Sequence, residues 1–183
     1  MGNVVIVRTA RDFNQLPKTM KLNHKTVRQL AKDVGYTDGM ISKIKHGAAP
    51  MQFENVQAML EAMPKDNQFL AIEVANKFVG ITTPVIDGDG IIKEPLSMAI
   101  KAMPELTEAL SSIQNSLDEM TIPEDRLKPE NFEDPGKLVN ECFDAVLYLT
   151  NLIAYVCKTF GFSMQDTLKK RVKKWIMEGI VKP

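Results

Sequence analysis

Residues 26–47 admit few arrangements other than two short helices meeting at a sharp reversal. Leu30, Ala31 and Val34 share one face of the first helix, and Ile41 and Ile44 share one face of the second. Gly35 lies between them, where a helix must stop and the backbone needs a positive φ that side chains resist. Ala31 is small at the place where two crossing helices come closest, and no charged residue falls on the inward positions. Thr26 is a good N-cap for the first helix, Thr37 or Asp38 can cap the second, and Gly47 and Pro50 end it.

Burying Ile41 and Ile44 leaves Thr37, Asp38, Gly39, Ser42, Lys43 and His46 on the outer face of the second helix. A polar helix start of this kind can enter a major groove and reach base edges, while flanking cations hold phosphates. Thr37, Asp38 and Ser42 are therefore the candidates for contact with bases, and Arg28, Lys43, Lys45 and His46 those for contact with phosphates. A plain αα-hairpin, serving as scaffold in a protein-interaction module, is the competing reading.

Charge separates the two. Lysines and arginines balance aspartates and glutamates at 23 each, but not locally. Residues 1–64 hold nine basic against five acidic groups, residues 65–168 eight against seventeen, and residues 169–183 six against one. A polyanion is drawn to the two ends and repelled by the middle, and a bare hairpin needs no such bias.

The remaining chain reads as helical. A first helix is expected near 12–21, with Pro17 in its first turn or kinking it, and amphipathic helices follow at 53–63 and 67–79. Residues 3–8 suggest a short strand or arm. The stretch 80–95, rich in Gly, Pro and Asp, has no helical period and marks a linker. The expected division is a DNA-binding domain at 1–80, a linker at 81–95 and a helical domain at 96–183. That last region predicts helices near 96–118, 137–160 and 163–177, with a loop rich in Pro and acidic residues at 121–136.

Cys142 and Cys157 have neither metal-ligand nor redox spacing and read as buried thiols. Neither a secretory leader nor an apolar run of about 18 residues is visible, which points to the cytoplasm. No nucleophilic triad, phosphate-cradling glycine loop or zinc spacing occurs, so no catalytic residue, metal or cofactor is expected.

Thr26, Leu30, Ala31, Gly35, Ile41, Ser42, Ile44, Gly47 and the apolar helix 53–63 together resemble the lambda-repressor-like (Cro/CI, or XRE) helix-turn-helix family and phage CII-type regulators. The resemblance spans about residues 12–80. It implies a five-helix DNA-binding head with the 38–46 helix in the groove, and a phage or prophage transcriptional regulator rather than an enzyme. Family members often place Gln at the first position of the motif's first helix to hold a phosphate. Val27 stands there in this chain, so Arg28 or Gln29 has to take that role.

The apolar residues of 137–160 lie on more than one face, from Leu138, Val139 and Phe143 to Ile153 and Val156. A helix of that kind needs cover on several sides. With few neighbours in the chain, a second copy is the expected cover, and an all-α chain with a head and an oligomerising body follows. Glu141-Cys-Phe-Asp144 and the helix after Gly161 also resemble the metal-binding helix of MazG-type nucleoside triphosphate pyrophosphohydrolases, with Glu105 and Glu108 on a partner helix. That resemblance implies a carboxylate set for Mg²⁺. The family's leading glutamates fall on Lys101 and Ala102, leaving Glu105, Glu108, Glu141 and Asp144 as an incomplete set and implying lost catalysis. The tail 169–176 sets basic residues beside Val172, Trp175 and Ile176, with Trp175 expected to pack inward.

Overall fold

The computed structural model describes residues 11–183, so the strand or arm expected at 3–8 lies outside the described residues. Among the described residues every regular element is a helix, and none is long and apolar enough to cross a membrane. Two compact units meet between Pro84 and Val85.

The first unit contains α1 (Gln15–Leu22), α2 (Val27–Val34), α3 (Asp38–Lys45), α4 (Val56–Ala62) and α5 (Gln68–Val79). Pro17 sits in the first turn of α1, where its missing N–H has no helical partner to lose. The helix expected from residue 53 opens as a single 3₁₀ turn, Phe53–Asn55, and becomes α-helical only at Val56. Phe53 stays largely outside, with its ring tilted against Phe78 at 6.0 Å. One core joins Phe13, Leu16, Met20, Leu30, Ile41, Ile44, Met59 and Leu70, all buried.

The start of α1 is held from across the unit. Asn14, at its N-cap, makes no side-chain cap bond. Instead the backbone N–H groups of Asn14 and Gln15 donate to the two carboxylate oxygens of Glu73 on α5, each at 2.8 Å. A carboxylate at the positive end of a helix gains from charge-assisted bonds and from the helix dipole together. Lys77, one turn along α5, lies 3.7 Å from Glu73, donates to the carbonyl of Asp12 and rests 5.4 Å from the centre of the Phe13 ring. Charged groups are thus used up in pairs inside an apolar unit.

The second unit contains α6 (Pro95–Asn115), the single turn α7 (Leu117–Met120), α8 (Glu133–Phe160) and α9 (Met164–Met177). The expected loop up to 136 is shorter, because α8 takes in Glu133, Asp134 and Pro135. Acidic groups suit a helix N-terminus and a proline is tolerated in a first turn, so these residues start a helix as readily as they avoid one. Lys137 then bridges back to Glu133 at 2.8 Å.

α6 and α8 pack along each other as a hairpin. The buried side chains of α6 are Met98, Ala102 and Ala109, followed by Ser116 at its C-cap. Their spacing of four and seven keeps one narrow stripe facing α8. On α8 the buried positions are Ala145, Asn151, Ala154, Tyr155 and Cys157. Small residues let the two backbones approach closely but bury little apolar area.

Residues 85–87 are strapped to α8. The amide N–H of Ile86 donates to Oδ1 of the fully buried Asn151 at 2.8 Å, Asn151 donates to the carbonyl of Leu147, and the Tyr155 hydroxyl donates to the carbonyl of Ile86 at 3.3 Å. Ser163 caps α9 by accepting from the N–H of Asp166. Trp175, expected to pack inward, is only half-buried, and α9 contributes no fully buried side chain. The guanidinium of Arg171 covers part of its ring at 5.7 Å, as a long cation does where no apolar neighbour is available.

Glu73→Gln places an amide against two N–H donors and leaves one without an acceptor. A loss of about 1–3 kcal/mol is expected, read as a lower urea midpoint with an unchanged slope.

Candidate functional site

The helix pair α2–α3 is built by local rules. Thr26 accepts from the N–H of Gln29 at 3.2 Å, and Gln29 Oε1 accepts in return from the N–H of Thr26 at 2.9 Å, a reciprocal capping box. Gly35 ends α2 at φ +73° and turns the chain. Thr37, rather than Asp38, caps α3 by accepting from the N–H of Met40 at 3.2 Å. Asp38 is the first residue inside the helix, where its charge suits the dipole. The turn is tied to the start of α4, since Tyr36 donates to Gln52 and accepts from Asn55.

Ile41 and Ile44 are fully buried against Leu30 and Ala31, as their spacing requires. Rotation of α3 is thereby fixed. Thr37, Asp38, Gly39, Lys43 and His46 are exposed, and Ser42 and Lys45 are half-exposed. Thr26, Arg28 and Gln29 are exposed at the start of α2. The predicted residues therefore form an outward set on the start of α2 and along the length of α3. Gln29 engages its side-chain oxygen in the capping box and keeps its amide NH2 as a donor, while Arg28 is the cation on that turn. His46 Nδ1–H donates to the carbonyl of Ser42 at 2.7 Å, so Nε2 is the nitrogen turned outward.

Sequence reasoning missed two features of this face. Met40, which belongs to neither the inward pair Ile41 and Ile44 nor the predicted polar face, stands outside at 37% exposure, beside Asp38 and Gly39. An apolar group there can meet a thymine methyl. Gly39 is not required by the fold, because a Cβ built on it meets nothing within 4 Å.

A second cluster lies in the other unit. Glu105 and Glu108, one turn apart on α6, and Glu141 on α8 bring one carboxylate oxygen each within 4.8 Å of one another. The carboxyl of Glu105 is raised above the usual glutamate range, first by desolvation in the helix seam and then by the like charges of Asp144, Glu108 and Glu141, with Lys101 opposing. Three of the four carboxylates expected as an incomplete set, Glu105, Glu108 and Glu141, are thus brought together, and Asp144 is not among them. Hard oxygen donors at this spacing suit a divalent cation such as Mg²⁺, and Lys101 works against it. Cys157, the buried thiol of the two cysteines, has its pKa pushed up by burial, while Cys142 is half-buried.

Comparison with protein-family models, with curated proteins and with solved structures finds no match for this chain.

A raised carboxyl pKa adds stability at acid pH, and that contribution is lost as pH rises through the folded-state value. Asp144→Asn removes the largest of the like charges. The Glu105 titration midpoint, followed by carbon NMR, is expected to fall toward the ordinary range. An unmoved midpoint would remove Asp144 from the causes and leave the shift to desolvation and to Glu108 and Glu141.

Proposed function

We propose that residues 12–80 form a double-stranded DNA-binding head of the lambda-repressor-like helix-turn-helix type, and that the chain is a sequence-specific transcriptional regulator of the phage or prophage kind acting in the cytoplasm. The observation that carries this reading is the state of α3. Two isoleucines lock one side of it in the core, and every remaining side chain of its first two turns is polar, basic or Met40, and faces outward. A helix so placed serves a groove better than it serves a scaffold, because a scaffold helix would carry apolar groups on both faces.

In this reading α3 lies in the major groove with Thr37, Asp38, Met40 and Ser42 toward base edges. Arg28, Lys43, Lys45 and His46 hold phosphates, and Thr26 and Gln29 stiffen the start of α2 beside the backbone. Gly39 lets the α3 backbone approach the duplex. Phosphate contacts supply most of the low-salt affinity, and specificity rests on a few side chains per head.

The acidic cluster favours a second reading, a divalent-cation-dependent pyrophosphohydrolase of the MazG kind carried on the second unit. Glu105, Glu108, Glu141 and Asp144 would hold the cation, which would supply charge neutralisation at a substrate's phosphates. Pyrophosphate released from nucleoside triphosphates with Mg²⁺, and abolished by Glu141→Gln, would establish it.

For the first reading, binding to duplexes flanking the chain's own gene is measured across a salt titration with non-specific competitor. Lys43→Ala and Arg28→Ala are each expected to weaken binding to every duplex and to reduce the salt slope by about one. Ser42→Ala is expected to change which duplex is preferred. Gly39→Ala separates interface from fold. It is expected to raise stability by about 0.5–1 kcal/mol, as alanine does over glycine in a helix, while lowering DNA affinity. Absence of binding at low salt would overturn the assignment.

A further inference from the structure

We infer that the α6–α8 hairpin is half of an interface, and that its partner is a second copy of the same hairpin, the two closing into a four-helix bundle. The side chains of α6 are distributed the wrong way round for a hairpin that stands alone. Its stripe toward α8 holds one large apolar residue, Met98, and is otherwise Ala102, Ala109, Ser116 and the half-buried Glu105. Its other large apolar residues, Leu96, Ile100, Met103, Leu106, Leu110 and Ile113, are all between 42% and 67% exposed. They recur at intervals of three and four, the spacing of a helix-packing seam, and lie roughly a third of a turn away from the stripe that faces α8.

α8 repeats the pattern. Val139, Phe143, Val146 and Ile153 are 47–54% exposed and follow intervals of four, three and seven. The two seams belong to one surface, because an apolar groove lined by Ile113 of α6 and by Leu138, Val139, Cys142, Phe143 and Val146 of α8 joins them. No charged residue interrupts either seam.

Area identifies the occupant. Ten side chains showing about half of their surface amount to on the order of 1,000 Å² of apolar area on each copy, the scale of one side of a stable dimer interface and more than a lone monomer leaves in one patch. What covers such a surface must itself be apolar, about 25 Å long by the rise of about 1.5 Å per residue, and free of charge along two parallel seams. A second hairpin of this chain meets each demand, and a two-fold axis lets the same seam serve both copies. Glu105 and Glu108 lie off this surface, so pairing does not depend on the acidic cluster, nor on what α3 binds.

The test is the mass of the full chain in solution by sedimentation equilibrium or light scattering, across concentrations from below 1 to above 100 μM. The expected result is a dimer, with Leu110→Glu and Phe143→Glu each raising its dissociation constant about 30-fold or more. Asn115→Lys, exposed at the end of α6 on a side turned away from the seam, is expected to leave it unchanged. Because the replaced residues are exposed in the single chain, helical circular dichroism should be retained, which separates lost pairing from lost folding. A monomer at every concentration, or a dimer indifferent to both seam substitutions, would overturn the proposal. So would capture of the surface by a different protein while the chain alone stays monomeric.

Discussion

Everything that the first unit presents to the outside follows from the contact between α2 and α3. Ala31 gives the crossing point room, Leu30, Ile41 and Ile44 fill it, and Gly35 sets the reversal that brings the two helices there. An eight-residue helix is marginal by itself in water, so α3 exists because its two isoleucines are buried. Once they are, its rotation is determined. The exposed face is a consequence of packing, and a change at Thr37, Ser42 or Lys43 acts on that face without touching what orients it.

The same unit shows how a small core tolerates charge. Glu73 is only 8% exposed, yet both of its oxygens receive backbone N–H groups and Lys77 stands beside it. A buried carboxylate left alone would be costly, whereas one that completes a helix N-terminus replaces the water that both partners lost. The contact joins residues 58 and 59 positions apart and so fastens α5 to the beginning of the unit.

Local signals were legible in the sequence where chemistry and geometry are both local. Thr26, Gly35 and Ser163 mark helix ends through their own backbone preferences, and all three lie at such ends. The inward set of α2 and α3 could be read from spacing alone. Glu73 could not, because its partner is a backbone group some sixty positions away and no pattern in its own helix distinguishes it from a solvated glutamate. Pro135 was misleading for the opposite reason, since a proline near a helix start is equally compatible with a loop. Met40 fell between faces of a short helix, where a single residue of register decides exposure. The acidic cluster was visible as two carboxylate pairs, but spacing within one helix does not reveal which residues of another helix they meet.

Small residues in the α6–α8 seam have two consequences that belong together. Ala102, Ala109 and Ala145 draw the helices close, and closeness brings Glu105, Glu108 and Glu141 into one small volume, where desolvation first and the like charges of Asp144, Glu108 and Glu141 second hold a proton on Glu105 more tightly than usual. The same choice leaves the hairpin with little apolar area between its own helices and moves the large side chains to its outer face. Bulky residues in the seam would relieve both, by separating the carboxylates and by giving the hairpin a core of its own. The unit accepts repulsion inside and exposure outside. That combination is stable only when something compensates each, and the two surfaces point in different directions along α6, so one compensation does not obstruct the other.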